Sequence, residues 1–151
     1  MSIVRVKIEI EAPIERVWET VMDPDRLGDW VTIHRSVSNV SKRPLEVGAT
    51  MDQSMHMRGI TFKVHWTLEE VTPPRVARWE GRGPAHSSAR IRYELSENAD
   101  GHTIFEYSND FKPPGGRLGA VASRVVVGAA SEREAQNTLQ RLKALLERSD
   151  T

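Results

Sequence analysis

The sequence predicts an α+β fold: a seven-stranded, curved antiparallel sheet wrapping a long carboxy-terminal helix, with two short helices after the first strand. Three observations predict it. The chain opens on a strand whose apolar residues alternate with charge. Its middle is a run of period-two segments separated by turn residues. Its last stretch, 118–148, follows helical spacing.

In the first strand Ile3, Val4, Val6, Ile8 and Ile10 carry the apolar content, interleaved with Arg5, Lys7, Glu9 and Glu11. Pro13 ends the strand and suits the first turn of a helix, where its missing N–H would be unpaired anyway. Ile14, Val17, Trp18 and Val21 recur at three- and four-residue spacing, which gives a short amphipathic helix. Asp23-Pro24 stops it, and residues 25–30 read as one more helical turn that delivers Trp30 to the core. Strands are expected near 33–41, 49–58, 60–71, 75–81, 86–96 and 102–111. Their breaks are Pro44 to Gly48, Gly59, Pro73-Pro74, Gly81 to Pro84 and Asn98 to Gly101. After Pro113-Pro114-Gly115-Gly116, residues Leu118, Val121, Ala122, Val125, Ala129, Ala135, Leu139, Leu142 and Leu146 share one stripe. The spacing predicts a single helix about 45 Å long.

A chain of 151 residues can bury roughly 68–70% of its unfolded surface, so residues 1–151 are read as one domain. Lys+Arg and Asp+Glu number 21 each, which leaves no basic field for nucleic acid or an anionic membrane. The absence of cysteine excludes a disulfide scaffold, a thiolate metal site and a cysteine nucleophile. The longest uncharged apolar run, 125–130, is far short of the roughly 20 residues of a membrane span. The amino terminus enters strand pattern directly, with no signal core, so a cytoplasmic protein is expected.

A sheet with one apolar face needs a cover, and the terminal helix is the only long element available. Alternation assigns Met51, Gln53, Met55 and Met57 to the inner face, followed by Phe62, Val64, Trp66 and Leu68. Ala77, Trp79, Ala89, Ile91, Tyr93 and Leu95 continue it, and Thr103, Phe105, Tyr107, Asn109 and Phe111 complete it. Lys63, Glu69, Arg78, Glu80, Arg90, Arg92, Glu94 and Glu106 fall on the solvated face. The helix stripe thins at Val125, Gly128 and Ala129, which leaves room beneath it. Apolar walls with a few polar anchors describe a small-molecule pocket, and methionines adapt to varied shapes. A dry core whose amides and hydroxyls pair with backbone would have the same composition.

Five stretches in order carry a resemblance. They are IEAPIERVWETVMDPDRLGDW at 10–30, LEVGATM at 45–51, WTLEEVTPPRVARWEG at 66–81, DGHTIFEYSNDF at 100–111 and the terminal LQRLKALLE. Together they resemble the START-like, Bet v 1-like superfamily (SRPBCC), also called the helix-grip or polyketide cyclase/dehydrase-like group. The resemblance implies a curved sheet gripping a carboxy-terminal helix around a deep apolar cavity. It also implies ligands such as lipids, quinones or polyketides. The matching stretches are scaffold motifs, so no catalytic residue is carried over with them.

Chemistry-bearing residues are sparse. The histidines His34, His56, His65, His86 and His102 show no metal-ligand spacing, and no metal or cofactor is expected. Glu69 and Glu70 are adjacent on a strand, so they are expected to point to opposite faces. Asp23, Asp25 and Asp29 flank the short helices, where capping explains them. Glu132 is the one carboxylate on or beside the helix stripe, either entering the cavity as a base or reaching water at the stripe's edge.

The leading expectation is binding of a small hydrophobic or amphipathic ligand between sheet and helix. Its wall would be Met51, Met55, Met57, Trp66, Trp79, Tyr93, Phe105, Tyr107, Val125 and Ala129, with Trp30 near the entrance. Gln53 and Asn109 would orient the ligand. An alternative is a polyketide cyclase or dehydratase with Tyr93, Tyr107 and Glu132 as proton-transfer groups. A third is a protein-interaction module with an incidental cavity. Monomer and homodimer are both open.

Overall fold

The computed structural model describes residues 2–113 and 120–148. The chain runs β1 (Ser2–Ile10), α1 (Ile14–Val21), α2 (Leu27–Trp30), β2 (His34–Ser38), β3 (Thr50–Met57) and β4 (Ile60–Thr72). It continues through β5 (Val76–Arg82), β6 (Ser88–Glu97), β7 (Thr103–Lys112), α3 (Ala120–Ala129) and α4 (Glu132–Arg148). The seven strands form one antiparallel sheet in the order β1-β7-β6-β5-β4-β3-β2. This is the helix-grip arrangement, with the first strand closing on the last.

The connections explain the meander. At the β6–β7 turn Asn98 Oδ1 accepts from the backbone N–H of Asp100 and of His102, each at 3.0 Å. Gly101 takes φ of 77° there, in the left-handed region that a side chain disfavours. Pro13 sits at the cap of α1 rather than inside it, and Asp23 Oδ1 caps the following turn through Asp25 N–H at 3.0 Å. Asp25 instead pairs with Arg43 through both oxygens, at 3.1 and 3.2 Å, and Asp29 with Arg26 at 3.2 Å.

The helices pack on the apolar side of the sheet. Ala135, Leu139, Leu142 and Leu146 of α4 are buried, and α4 lies against β1 and α2. Two side chains of α4 reach backbone at the end of β1: Lys143 Nζ donates to Glu9 O at 2.9 Å, and Glu147 accepts from Glu11 N–H at 2.9 Å. Ile10, Phe105, Leu68 and Trp30 form the deepest layer beneath.

Three sequence expectations are corrected. The terminal helix is two helices, separated at Ala130–Ser131, because Ser131 acts as a fresh amino-terminal cap: its Oγ accepts from Glu134 N–H at 3.3 Å. The stripe residues Leu118, Val121 and Ala122 lie outside the described side chains. Glu69 and Glu70 do not oppose one another; a register shift between Leu68 and Glu70 turns both to the solvated face. Arg78 reaches Glu69 at 3.5 Å and Glu70 at 3.4 Å from there. Trp30 is not at an entrance but 1% exposed, edge-on to Tyr93 and Phe105 at centroid distances of 6.1 and 6.4 Å.

Candidate functional site

Between the inner face of the sheet and the helices lies a cavity of about 140 Å³. Its floor comes from β3 to β7 and its roof from α2, the end of α3 and the start of α4. The helix break contributes directly, because Val126, Ala129, Ala130, Ser131, Glu134 and Ala135 all line it. Small residues at the junction leave space that a continuous leucine stripe would fill.

Of the residues singled out by sequence, Trp30, Met51, Gln53, Met55, Trp66, Trp79, Tyr93, Tyr107, Asn109 and Ala129 line this one cavity. Met57, Phe105 and Val125 do not. Phe105 is fully buried behind the wall, with its ring 5.4 Å from that of Tyr93. Val125 is buried but its neighbour Val126 faces the cavity, a one-residue error in helical phase. Met57 is half-buried at the end of β3, its Cε 3.8 Å from where a Cβ on Gly128 would stand.

A polar chain runs through the wall. The Trp66 indole N–H donates to Gln53 Oε1 at 2.9 Å, and Gln53 Nε2 stands 2.9 Å from His34 Nδ1. An indole N–H can only donate, so the amide oxygen is fixed as acceptor and the amide nitrogen as donor. His34 Nδ1 must therefore accept, which requires a neutral ring protonated on Nε2. Burial works in the same direction and lowers the His34 pKa from its ordinary 6.5.

The two tyrosines are paired across β6 and β7, with ring centroids 6.3 Å apart. Burial pushes the Tyr93 phenol far above its ordinary value of 10, and the neighbouring Tyr107 adds to the effect. Burial also raises Tyr107, against a hydrogen bond from Asn109 that lowers it. Both phenols hold their protons at neutral pH and act as hydrogen-bonding groups, not as bases.

Glu132 is exposed and accepts from Gln136 at 3.3 Å, away from the cavity. The carboxylate at the cavity is Glu134, which accepts from Thr32 Oγ1 at 2.7 Å. Thr138 joins this cluster, its Oγ1 3.2 Å from Thr32 Oγ1. The sequence carried a signal for the arrangement: Ser131 followed three residues later by Glu134 is capping-box spacing, and it marks a helix start at 132. Gly81 also lines the cavity, at a position where the sequence pattern suggests only a turn.

Three of the remaining histidines have partners elsewhere. His65 Nδ1 lies 2.6 Å from Asp52, His102 Nδ1 lies 2.8 Å from Glu9, and His56 Nδ1 lies 2.8 Å from Thr61. His86 is exposed at the β5–β6 turn. None of the five lines the cavity among the described residues. No described helix is long and apolar enough to cross a membrane.

The family model for polyketide cyclase / dehydrase and lipid transport matches residues 1–147. Among curated proteins, Toxin Rv0910 of Mycobacterium tuberculosis (strain ATCC 25618 / H37Rv) is 23% identical over 97 residues, which is 64% of this chain and 67% of that protein. Among solved structures, TTHA0849 from Thermus thermophilus superposes with a TM-score of 0.77 at 15% identity, over 99% of this chain and 100% of that one. DynU16, from the dynemicin biosynthetic locus, gives a TM-score of 0.67 at 22% identity over 97% of this chain. This chain spans about half the length of DynU16, 48% of it. These structural likenesses show the fold.

Proposed function

The chain belongs to the polyketide cyclase / dehydrase and lipid transport family, and on that premise we propose that it binds a small hydrophobic or amphipathic molecule in the cavity between sheet and helices. The observation that carries this reading is the cavity itself, about 140 Å³, walled by Met51, Met55, Trp66, Trp79 and Tyr93. An engineered apolar cavity of about 150 Å³ is large enough to hold benzene. At nearly the same volume, this cavity would take a single ring or a short chain. Apolar burial of about 25 cal/mol per Å² supplies the affinity without any special chemistry.

The test is native mass spectrometry of the purified protein, followed by a denaturing run that releases and identifies any adduct. A stoichiometric apolar adduct supports the reading. A clean protein mass, with no thermal shift across lipids, quinones and aromatic polyketides, would sink it.

One observation favours a second reading, a polyketide cyclase or dehydratase. Tyr93, buried, and Tyr107, half-buried, stand side by side with strongly raised phenol pKa values, as catalytic groups often do. That reading loses the base expected at Glu132, which is exposed. It requires Tyr93→Phe or Tyr107→Phe to abolish turnover of a polyketide while ligand binding survives; full activity in both variants would end it. The interaction-module reading gains no comparable support. Ile3, Val47 and Val127, the exposed large hydrophobics among the described residues, lie on three separate segments.

A further inference from the structure

Four polar residues that line the cavity, Thr32, Ser131, Glu134 and Thr138, belong to one hydrogen-bonded cluster. It forms where the segment between α2 and β2 meets the first two turns of α4. The bond directions within it are fixed. An ionised carboxylate only accepts, so Thr32 Oγ1 gives its single proton to Glu134 Oε2, at 2.7 Å. Thr138 Oγ1, 3.2 Å from Thr32 Oγ1, must then be the donor in that contact, and it accepts from Thr32 N–H at 3.3 Å. Both threonine protons lie on a path that ends at the carboxylate.

That path uses one oxygen of Glu134. Oε1 meets no hydrogen-bond partner among the described residues, and the side chain is only half-buried, so this oxygen stays open to a ligand. Helix capping does not claim it either. In a capping box the glutamate would reach back to the cap residue's backbone N–H, but Ser131 N–H donates to Gly128 O at 3.1 Å instead. Apolar lining surrounds the group: Val31 and Ile33 flank Thr32, and Ala135 follows Glu134.

Resting on the proposed ligand-binding reading, we infer that the ligand carries a protonated amine, held by Glu134 while its ring or short chain fills the apolar cavity. Glu134 is then the specificity-determining residue, and Thr32 and Thr138 position it. A neutral hydroxyl can also donate to Oε1, but an ammonium adds opposite charge, and charge-assisted bonds are about twice as strong. A ligand carboxylate would bring a like charge to the same end of the cavity.

The experiment is isothermal titration at neutral pH with three single-ring probes of similar length: 2-phenylethylamine, 2-phenylethanol and 3-phenylpropionate. The amine should bind about tenfold tighter than the alcohol, and the carboxylate at least about tenfold weaker than the alcohol. Added salt should weaken the amine alone. Glu134→Gln keeps an acceptor for Thr32 and removes the charge. It should bring the amine down to the alcohol's affinity and leave the alcohol within about twofold of its original value.

Equal binding of amine and alcohol by the unmodified protein would overturn the inference and leave the cavity reading standing. That comparison decides by itself if the variant does not fold. A Glu134→Gln protein that melts earlier yet still prefers the amine would also overturn it, and would make Glu134 a structural group only. If none of the probes binds, the inference falls, and the cavity reading falls with it when no lipid, quinone or polyketide shifts the melt either.

Discussion

Gly81 and Trp66 stand opposite one another across β5 and β4, and a Cβ on Gly81 would lie 2.4 Å from Trp66 Cζ3. The indole occupies the space that a side chain on Gly81 would take, with Val64 2.8 Å away on the same side. Gly81→Ala must therefore displace the indole from its present position. Overpacking of this kind costs about 1–3 kcal/mol, and each kcal/mol lowers the Tm of a domain this size by roughly 2–4 °C. Thermal denaturation followed by near-ultraviolet circular dichroism reads both the melt and the tryptophan packing. An unchanged melt with a changed spectrum would show that Trp66 swings clear without cost, and no change in either would mean that the two do not clash.

The chain from Trp66 through Gln53 to His34 makes a pH prediction. The folded His34 pKa is lowered from 6.5 by burial, so the unfolded chain takes up that proton first. The stability tied to this group is complete above pH 6.5 and falls as the pH drops below it. Nuclear magnetic resonance titration should find His34 as a neutral Nε2–H tautomer that titrates below 6.5. Gln53→Leu should cost about 1–3 kcal/mol by leaving the indole N–H unpaired. A His34 that titrates above the ordinary value would contradict the bond directions assigned to this chain.

On the opposite side of the molecule the sign is reversed. The hydrogen bond to Glu9 raises the His102 pKa from 6.5, and the same bond lowers Glu9 from 4.5. The raised His102 contributes stability below pH 6.5 that is lost as the pH rises through its folded pKa. The lowered Glu9 contributes stability above pH 4.5 that is lost as the pH falls through its own. Urea denaturation of His102→Gln should therefore differ most from the unmodified protein between pH 4.5 and 6.5, and converge with it at alkaline pH. A difference that does not vary with pH would mean that the pair is not ionised as described.

Ser131 tests the helix break. Loss of an amino-terminal cap costs about 1 kcal/mol, so Ser131→Ala should lower the Tm by a few degrees, roughly 2–4 °C. Ser131→Asp should retain the cap and the stability. If the alanine variant is as stable as the original, Ser131 does not start α4.

The sheet was legible because its signals are local. Alternation in β1 and β3 to β7, and turn residues at Asn98 to Gly101, name faces and ends without any knowledge of the partner strand. The cavity's polar wall followed from the same alternation, which is why Gln53, Tyr93, Tyr107 and Asn109 were found. What escaped depends on departures from regularity. The bulge after Leu68 reversed the expected face of one glutamate, and no residue in that stretch marks it. The break at Ser131 shifted the helical phase, so Val126 replaced Val125 and Glu134 replaced Glu132 at the cavity. Trp30 packed deeper than expected because its indole completes the aromatic layer over Phe105.

The strand order has a consequence in time. β1 pairs only with β7, so Ser2 lies opposite Phe111 and Ile10 opposite Thr103. During synthesis the first strand and the helix behind it must wait, unpaired, until every other strand of the sheet has emerged. The remaining strands can zip up as successive hairpins, each closing a short loop, whereas this last pairing closes a loop as long as the sheet itself. The charges on β1, Arg5, Lys7 and Glu9, then guard a nascent edge against pairing with the wrong chain. Ribosome-bound chains stalled before and after β7 should differ sharply in the protease sensitivity of residues 2–21, and the chain becomes a closed body only when its newest strand meets its oldest.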